Sequence, residues 1–172
     1  MVPDRIEPPE LDETPQRGEL PRAHAARLAA AKAETVAARI APTRGYVLAA
    51  DTVVACGRRI LPKPDLPEEA WRCLALLSGR RHRVHGAVCV LAPDGRRAAR
   101  LVTTTVRFKR LSDAERARYL ASGEWHGKAG GYAIQGLAAG FVPAINGSYS
   151  NVVGLPLVET LALLHGLGWT LP

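Results

Sequence analysis

Residues 46–65 read YVLAADTVVACGRRILPKPD. Tyr46 to Ala50, continued by Val53 and Val54, is the near-continuous apolar run of a buried strand, predicted over 46–55. Asp51 interrupts it, followed by Thr52. A carboxylate inside such a strand carries a solvation cost, so it marks a point where the strand meets something polar. Further along, Lys63 stands between Pro62 and Pro64, on a stiff backbone that aims its side chain.

Upstream, Pro21 to Ile40 has helical period, with Ala25, Leu28, Ala29, Val36 and Ile40 on one stripe and Pro21 suited to the first turn. Residues 1–20 are rich in proline and acids and read as an extended, looped segment. Downstream, 67–80 reads as a helix stopped by Ser78-Gly79, and 83–111 as a hairpin around Pro93-Asp94-Gly95. Ser112 and Glu115 have capping-box spacing at the head of a third helix that ends at Gly123. A loop with Gly127, Gly130 and Gly131 follows. YAIQG (132–136) is predicted as a short strand, INGSYSNVVGLP (145–156) contains another, and 155–168 is the last helix. Helices and strands interleave, so the fold class is α/β in one domain spanning 1–172. The sheet is expected to be mixed, because the hairpin excludes an all-parallel one.

Aromatic residues make up only 5% of the chain, which argues against an aromatic-rich β-sandwich. A net charge of +7 fits an anionic partner: nucleic acid, an acidic membrane or a phosphorylated small molecule. Cys56, Cys73 and Cys89 are an odd number, far apart and set among apolar residues, as in a reducing compartment. No apolar run reaches the roughly 18 residues of a membrane span, and the N-terminus has no apolar signal segment. A cytoplasmic protein without a membrane partner is expected.

Other residues also break their local pattern. Lys32 falls between Leu28 and Val36 on the stripe that should face the core, where a snorkelling lysine is the plain alternative. Gln135 precedes Gly136 at a junction where ligands often bind. Asp12 and Glu13 are paired acids in a proline-flanked loop. Taken together, aimed cations, a strand carboxylate, an acidic loop and a glycine-rich loop match what hydrolysis of a nucleoside triphosphate requires. Cations neutralise phosphate, carboxylates hold a divalent metal and polarise water, and glycine amides approach the ligand closely. His82 and His85 fall on opposite faces of a strand, a poor zinc pair. The basic run GRRHRVH lacks an aromatic platform for nucleic acid.

At these residues the sequence resembles the Maf family of nucleoside triphosphate pyrophosphatases. The matching stretches are LDETPQRGELP, RLAAAKAETVA, LAADTVV, ILPKPD, LLSGRRHRVHGAV, YLASGEWHGKAGGYAIQG and INGSYSNVVGLPLVET, almost the whole chain. The resemblance implies an α/β fold of that family and cleavage between the α- and β-phosphates with Mg²⁺ or Mn²⁺. It implies Asp51 as proton acceptor, Lys32 and Lys63 as phosphate-binding lysines and Glu13 as a further catalytic acid. It makes Glu13 and Asp51 the candidate metal ligands, and Thr52 and Gln135 the positions linked to base selection. The form GEWHGKAGGYAIQG resembles the branch acting on dTTP and UTP. For Thr52 to reach the same ligand as Asp51, the regular strand is expected to end near residue 51.

Two departures accompany the resemblance. Pro62 stands where the family usually has glycine, and no S-x-S-P-R-R motif, the family's N-terminal phosphate loop, occurs in the chain. The expectation is a sheet lacking the family's first strand, with weakened turnover and an exposed edge prone to pair with a second copy as a homodimer. The rival readings are a nucleotide-binding homologue that has lost turnover and, more remotely, a basic nucleic-acid-binding domain.

Overall fold

The computed structural model describes residues 3–40 and 45–170. After an irregular strap over residues 3–20 the elements run α1 (Pro21–Ile40), β1 (Val47–Cys56), β2 (Arg59–Leu61), α2 (Pro67–Leu77), β3 (Arg81–Leu91) and β4 (Arg97–Arg107). They continue with α3 (Asp113–Ala121), β5 (Ala144–Asn146), α4 (Tyr149–Val153) and α5 (Leu157–Gly166).

The five strands form one sheet in the order β2-β1-β3-β4-β5. Every pair among them is antiparallel, so the expected mixed sheet is corrected. Two of the returns are tight, whereas β2 reaches β3 through α2 and β4 reaches β5 through a long connection that includes α3. Gly57 at φ +62 turns β1 into β2, and the Pro93–Gly95 turn joins β3 to β4. β1 pairs with β3 from Val47↔Leu91 to Ala55↔Arg83, but β2 covers only Val54 to Cys56 on its other side. Among the described residues, the edge of β1 from Val47 to Val53 therefore carries no neighbouring strand.

Strand alternation divides the core. Odd-numbered residues of β1 and β3, among them Val47, Val53, Ala87 and Cys89, pack against Ala25, Ala29 and Ala33 of α1. Three alanines at helical spacing let α1 lie close on that face. Even-numbered residues face the other way: Val54, Val84 and Val106 join α2, α3 and a cluster of Phe108, Tyr119, Tyr132 and Phe141. Val88 and Val90 on the same face meet α5. α3 is capped as predicted, Ser112 Oγ accepting from the Glu115 N–H and Glu115 accepting from the Ser112 N–H.

Two local expectations change. Residues 132–136 form no strand: Gly131 to Ile134 are consecutively buried instead of alternating, and tight turns over Ala129–Gly131 and Leu137–Phe141 bracket them. The strand expected in 145–156 is the short β5, begun a residue earlier. It is followed by α4, whose N-cap Ser148 accepts from the Asn151 N–H.

Candidate active site

Asp51 and Lys32 meet because each is on the odd side of its layer interface. Asp51, with a side chain 3% exposed, points from β1 toward α1, and Lys32 Nζ donates to its Oδ1 at 2.7 Å. The same ammonium is 2.6 Å from Glu13 Oε1, and the second Glu13 oxygen accepts from Lys63 Nζ at 2.7 Å. The result is a chain of alternating charge, Lys63–Glu13–Lys32–Asp51, joining residues from four separate parts of the sequence. Burial pulls the Lys32 pKa down, but the Asp51 and Glu13 hydrogen bonds outweigh it and hold the ammonium above its ordinary range. Burial likewise pushes the Glu13 carboxyl up, and the two lysines overcome it, so its pKa is lowered.

Glu13 reaches this chain from the strap. Arg27 of α1 donates to the Thr14 carbonyl at 3.1 Å and grips Glu19 through Nε at 2.7 Å and Nη2 at 2.9 Å. His24 Nδ1 lies 2.9 Å from the same Glu19 carboxylate, and Arg27 holds the Glu19 pKa down to about 2. Asp12, expected alongside Glu13, is not part of the cluster; its Oδ1 accepts from the Thr14 N–H at 2.9 Å and shapes the turn.

These charges border a cavity of about 260 Å³. Lys32, Asp51, Thr52, Lys63 and Gln135 all line it, with the Gly127–Ala129 loop, Tyr132, Val152 and Val153. Glu13 bonds to two of its lysines. β1 does not end near residue 51, as expected, but continues to Cys56. Asp51 and Thr52 still share the cavity, because it wraps the uncovered edge of β1 and is reached from both faces of the strand. Asp51 looks to α1, whereas the Thr52 hydroxyl lies 3.5 Å from the Gly154 carbonyl on the even side.

The even wall is built from loops. Gly127, Gly130 and Gly131 have φ of +65°, +71° and +70°, a region that side chains disfavour. Gly130 also fits closely: a Cβ there would stand 2.8 Å from Val54 Cγ1. Its N–H donates to the Pro62 carbonyl at 2.9 Å, locking the loop to the PKP segment. Pro62 thus contributes the carbonyl it keeps, not the N–H it lacks. Behind the wall Tyr132 donates to or accepts from His82 Nε2 at 2.8 Å, and burial pulls the His82 pKa down to about 4. Gln135 is exposed toward the cavity, and the turn after it is fixed by Glu124, which accepts from the Leu137 N–H at 2.7 Å.

The pattern of misplaced polar residues did not point to Arg27, Glu19, Glu124 or Lys128. Arg27 and Glu124 act on backbone groups and Glu19 acts by holding Arg27, and no spacing rule announces such roles. Lys128 sits on an exposed loop, where a lysine is ordinary.

Among the described residues no cluster of three or more His, Cys, Asp or Glu side chains stands ready to hold a metal. Glu13 and Asp51 share one ammonium, so two carboxylates converge near one point. An oxygen-only pair suits a hard cation that takes its remaining ligands from water and phosphate, as Mg²⁺ does.

Lysines interleaved with carboxylates at a sheet edge define the class: an α/β protein with a cleft for a small anionic ligand. A family model narrows it. Residues 1–167 match the family described as Maf-like protein, and the chain belongs to that family. It is 62% identical over 169 residues to a protein of Caulobacter vibrioides named dTTP/UTP pyrophosphatase, covering 98% of this chain and 86% of that one. A protein of the same name from Paramagnetospirillum magneticum is 63% identical over 169 residues, 98% and 88% of the two chains. One from Rhodopseudomonas palustris is 60% identical over 173 residues, 98% and 84%.

Proposed function

We propose that the protein is a nucleoside triphosphate pyrophosphatase that hydrolyses dTTP and UTP to the monophosphate and pyrophosphate. The observation that carries this reading is the Lys63–Glu13–Lys32–Asp51 chain along one cavity. Relatives at about 60% identity named for this activity support it.

In this reading Asp51 is the catalytic base. It takes a proton from the water whose oxygen attacks the α-phosphorus, while the bond from that phosphorus to the α–β bridging oxygen breaks and pyrophosphate departs with the electron pair. Lys32, bound to Asp51 at rest, is placed to hold the carboxylate in position and to meet the charge that builds on the α-phosphoryl oxygens. Lys63 binds phosphate oxygens farther out. A divalent cation bound through Glu13 and Asp51 would neutralise phosphate charge. Gln135 offers both a donor and an acceptor to a pyrimidine edge, and Thr52 closes the same end. The chain acts as one domain over 1–172. Its three unpaired cysteines and a nucleotide substrate accord with a cytoplasmic site of action, and among the described residues no helix is long and apolar enough to cross a membrane.

The test is product analysis on the purified protein with Mg²⁺ or Mn²⁺, offering UTP, dTTP, CTP, ATP and GTP in turn. UMP or dTMP with pyrophosphate, and fastest turnover on UTP and dTTP, is the expected result. Release of orthophosphate with a diphosphate, or no turnover of any of the five, would overturn the reading.

A further inference from the structure

The ion-paired charged groups bordering the cavity neutralise one another. Lys32 is held by Asp51 and Glu13, and Lys63 by Glu13. Two ammonium groups and two carboxylates cancel, so these four side chains offer no net charge to a triphosphate. Lys128 also lines the cavity, and it has no ion pair or side-chain hydrogen bond among the described residues.

Its backbone, by contrast, is fixed. The Lys128 N–H donates to the Trp125 carbonyl at 3.2 Å, its own carbonyl accepts from the Gly131 N–H at 2.8 Å, and Gly130 is bonded to Pro62 at 2.9 Å. That last bond ties the Lys128 loop to the residue preceding Lys63, so both lysines issue from one braced rim. Side-chain exposure rises outward along the charged chain, from 3% at Asp51 through 12% at Lys32 to 45% at Lys63, and Lys128 on the rim is exposed as well. If the reacting phosphorus sits by Asp51, the outer phosphates lie toward this rim.

We propose that Lys128 is a substrate-binding residue that takes the two phosphates leaving as pyrophosphate. A backbone braced by hydrogen bonds, carrying an ammonium that no carboxylate holds among the described residues, suits this task. The loop backbone needs no ordering to bring the cation to the rim, and no resident carboxylate has to be displaced before the ligand is engaged. Assignment to the leaving group rests on the pyrophosphatase reading; binding of an inorganic polyanion at Lys128 does not.

The test measures equilibrium binding of inorganic pyrophosphate and of UMP to the wild-type chain, Lys128→Met and Lys128→Arg, with Mg²⁺ present, alongside wild-type UTP turnover. Loss of one charged hydrogen-bond donor predicts pyrophosphate binding weaker by roughly ten-fold or more in Lys128→Met, near wild-type in Lys128→Arg, and UMP binding unchanged in both. The KM for UTP should rise in parallel in Lys128→Met. Unchanged pyrophosphate binding in Lys128→Met, or weakening confined to UMP, would overturn the proposal. Failure of the functional reading is told apart by the wild-type chain turning over no UTP while the binding data stand.

Discussion

The two walls of the cavity meet at one strand and are built on different principles. On the α1 side, Asp51, Lys32, Glu13 and Lys63 hold one another through direct ion pairs of 2.6 to 2.7 Å. On the other side, Thr52 projects from β1 itself, while Gln135 and Lys128 project from loops and short turns braced by backbone hydrogen bonds and by glycines. Alternation along β1 sends Asp51 to one wall and Thr52 to the other, and the uncovered edge lets a single ligand touch both. In the proposed function, chemistry belongs to the ion-paired wall and recognition to the braced one. A strand edge thus separates the two tasks even between the sequence neighbours Asp51 and Thr52.

The harshest way to break that division is Asp51→Asn, which keeps the shape and removes the base. Turnover should fall by roughly 10²–10⁴-fold with the KM little changed. Near wild-type turnover would remove Asp51 from the chemistry.

A second comparison sharpens the order within the ion-paired wall. Lys32→Met should cost more in kcat/KM than Lys63→Met, because Lys32 is 12% exposed and touches both carboxylates, whereas Lys63 is 45% exposed and touches one. A loss of roughly ten- to a hundred-fold is expected for Lys32. Equal losses would show that depth in the cavity does not rank the cations.

Acid should undo the walls in sequence. His82, under Tyr132, has its pKa lowered to about 4 in the fold from an ordinary 6.5. Between these values the unfolded chain binds the proton that the folded one refuses, so stability falls as pH drops through that window, by a total of order 3 kcal/mol. Glu13 is lowered from 4.5 by its lysines, so its contribution is complete above 4.5 and fades only below that. Melting curves from pH 7 to 3.5 should show the first loss above pH 4.5, and His82→Gln should flatten it. An unflattened curve would place the acid sensitivity elsewhere.

The mildest change tests recognition alone. Gln135→Glu removes a donor, and should reorder UTP, dTTP and CTP by a few-fold while the best rate moves less. An unchanged order would shift base selection to the 124–131 loop.

How much of this was legible in the sequence follows the same division. Asp51 and Lys32 are polar residues on apolar patterns, and burial rules expose them directly. The helix over 21–40, the capped α3 and the hairpin turn were legible because their signals are local. The antiparallel pairing of β1 with β3 was not, since the partner that β1 receives depends on the whole chain. The strand expected at 132–136 failed because consecutive burial of Gly131 to Ile134 in an aromatic cluster overrode the β-like composition. Thr52 was singled out chiefly by resemblance and Gln135 first by its place before Gly136, and the presence of Thr52 in the cavity depends on the edge of β1 that carries no neighbouring strand among the described residues.

The strap over residues 3–20 has a thermodynamic consequence for everything above. It contains no helix or strand, and it is pinned to α1 by Arg27 on Thr14 and by Arg39 on the carbonyls of Pro8 and Pro9 at 2.8 and 3.0 Å. Glu13 therefore belongs to the site only in the docked fraction of molecules. Docking and ligand binding become linked equilibria: the observed dissociation constant is the intrinsic one divided by that fraction. A ligand that needs Glu13 in place draws the strap down as it binds, and a surface arginine such as Arg39, far from any phosphate, acquires a share in affinity.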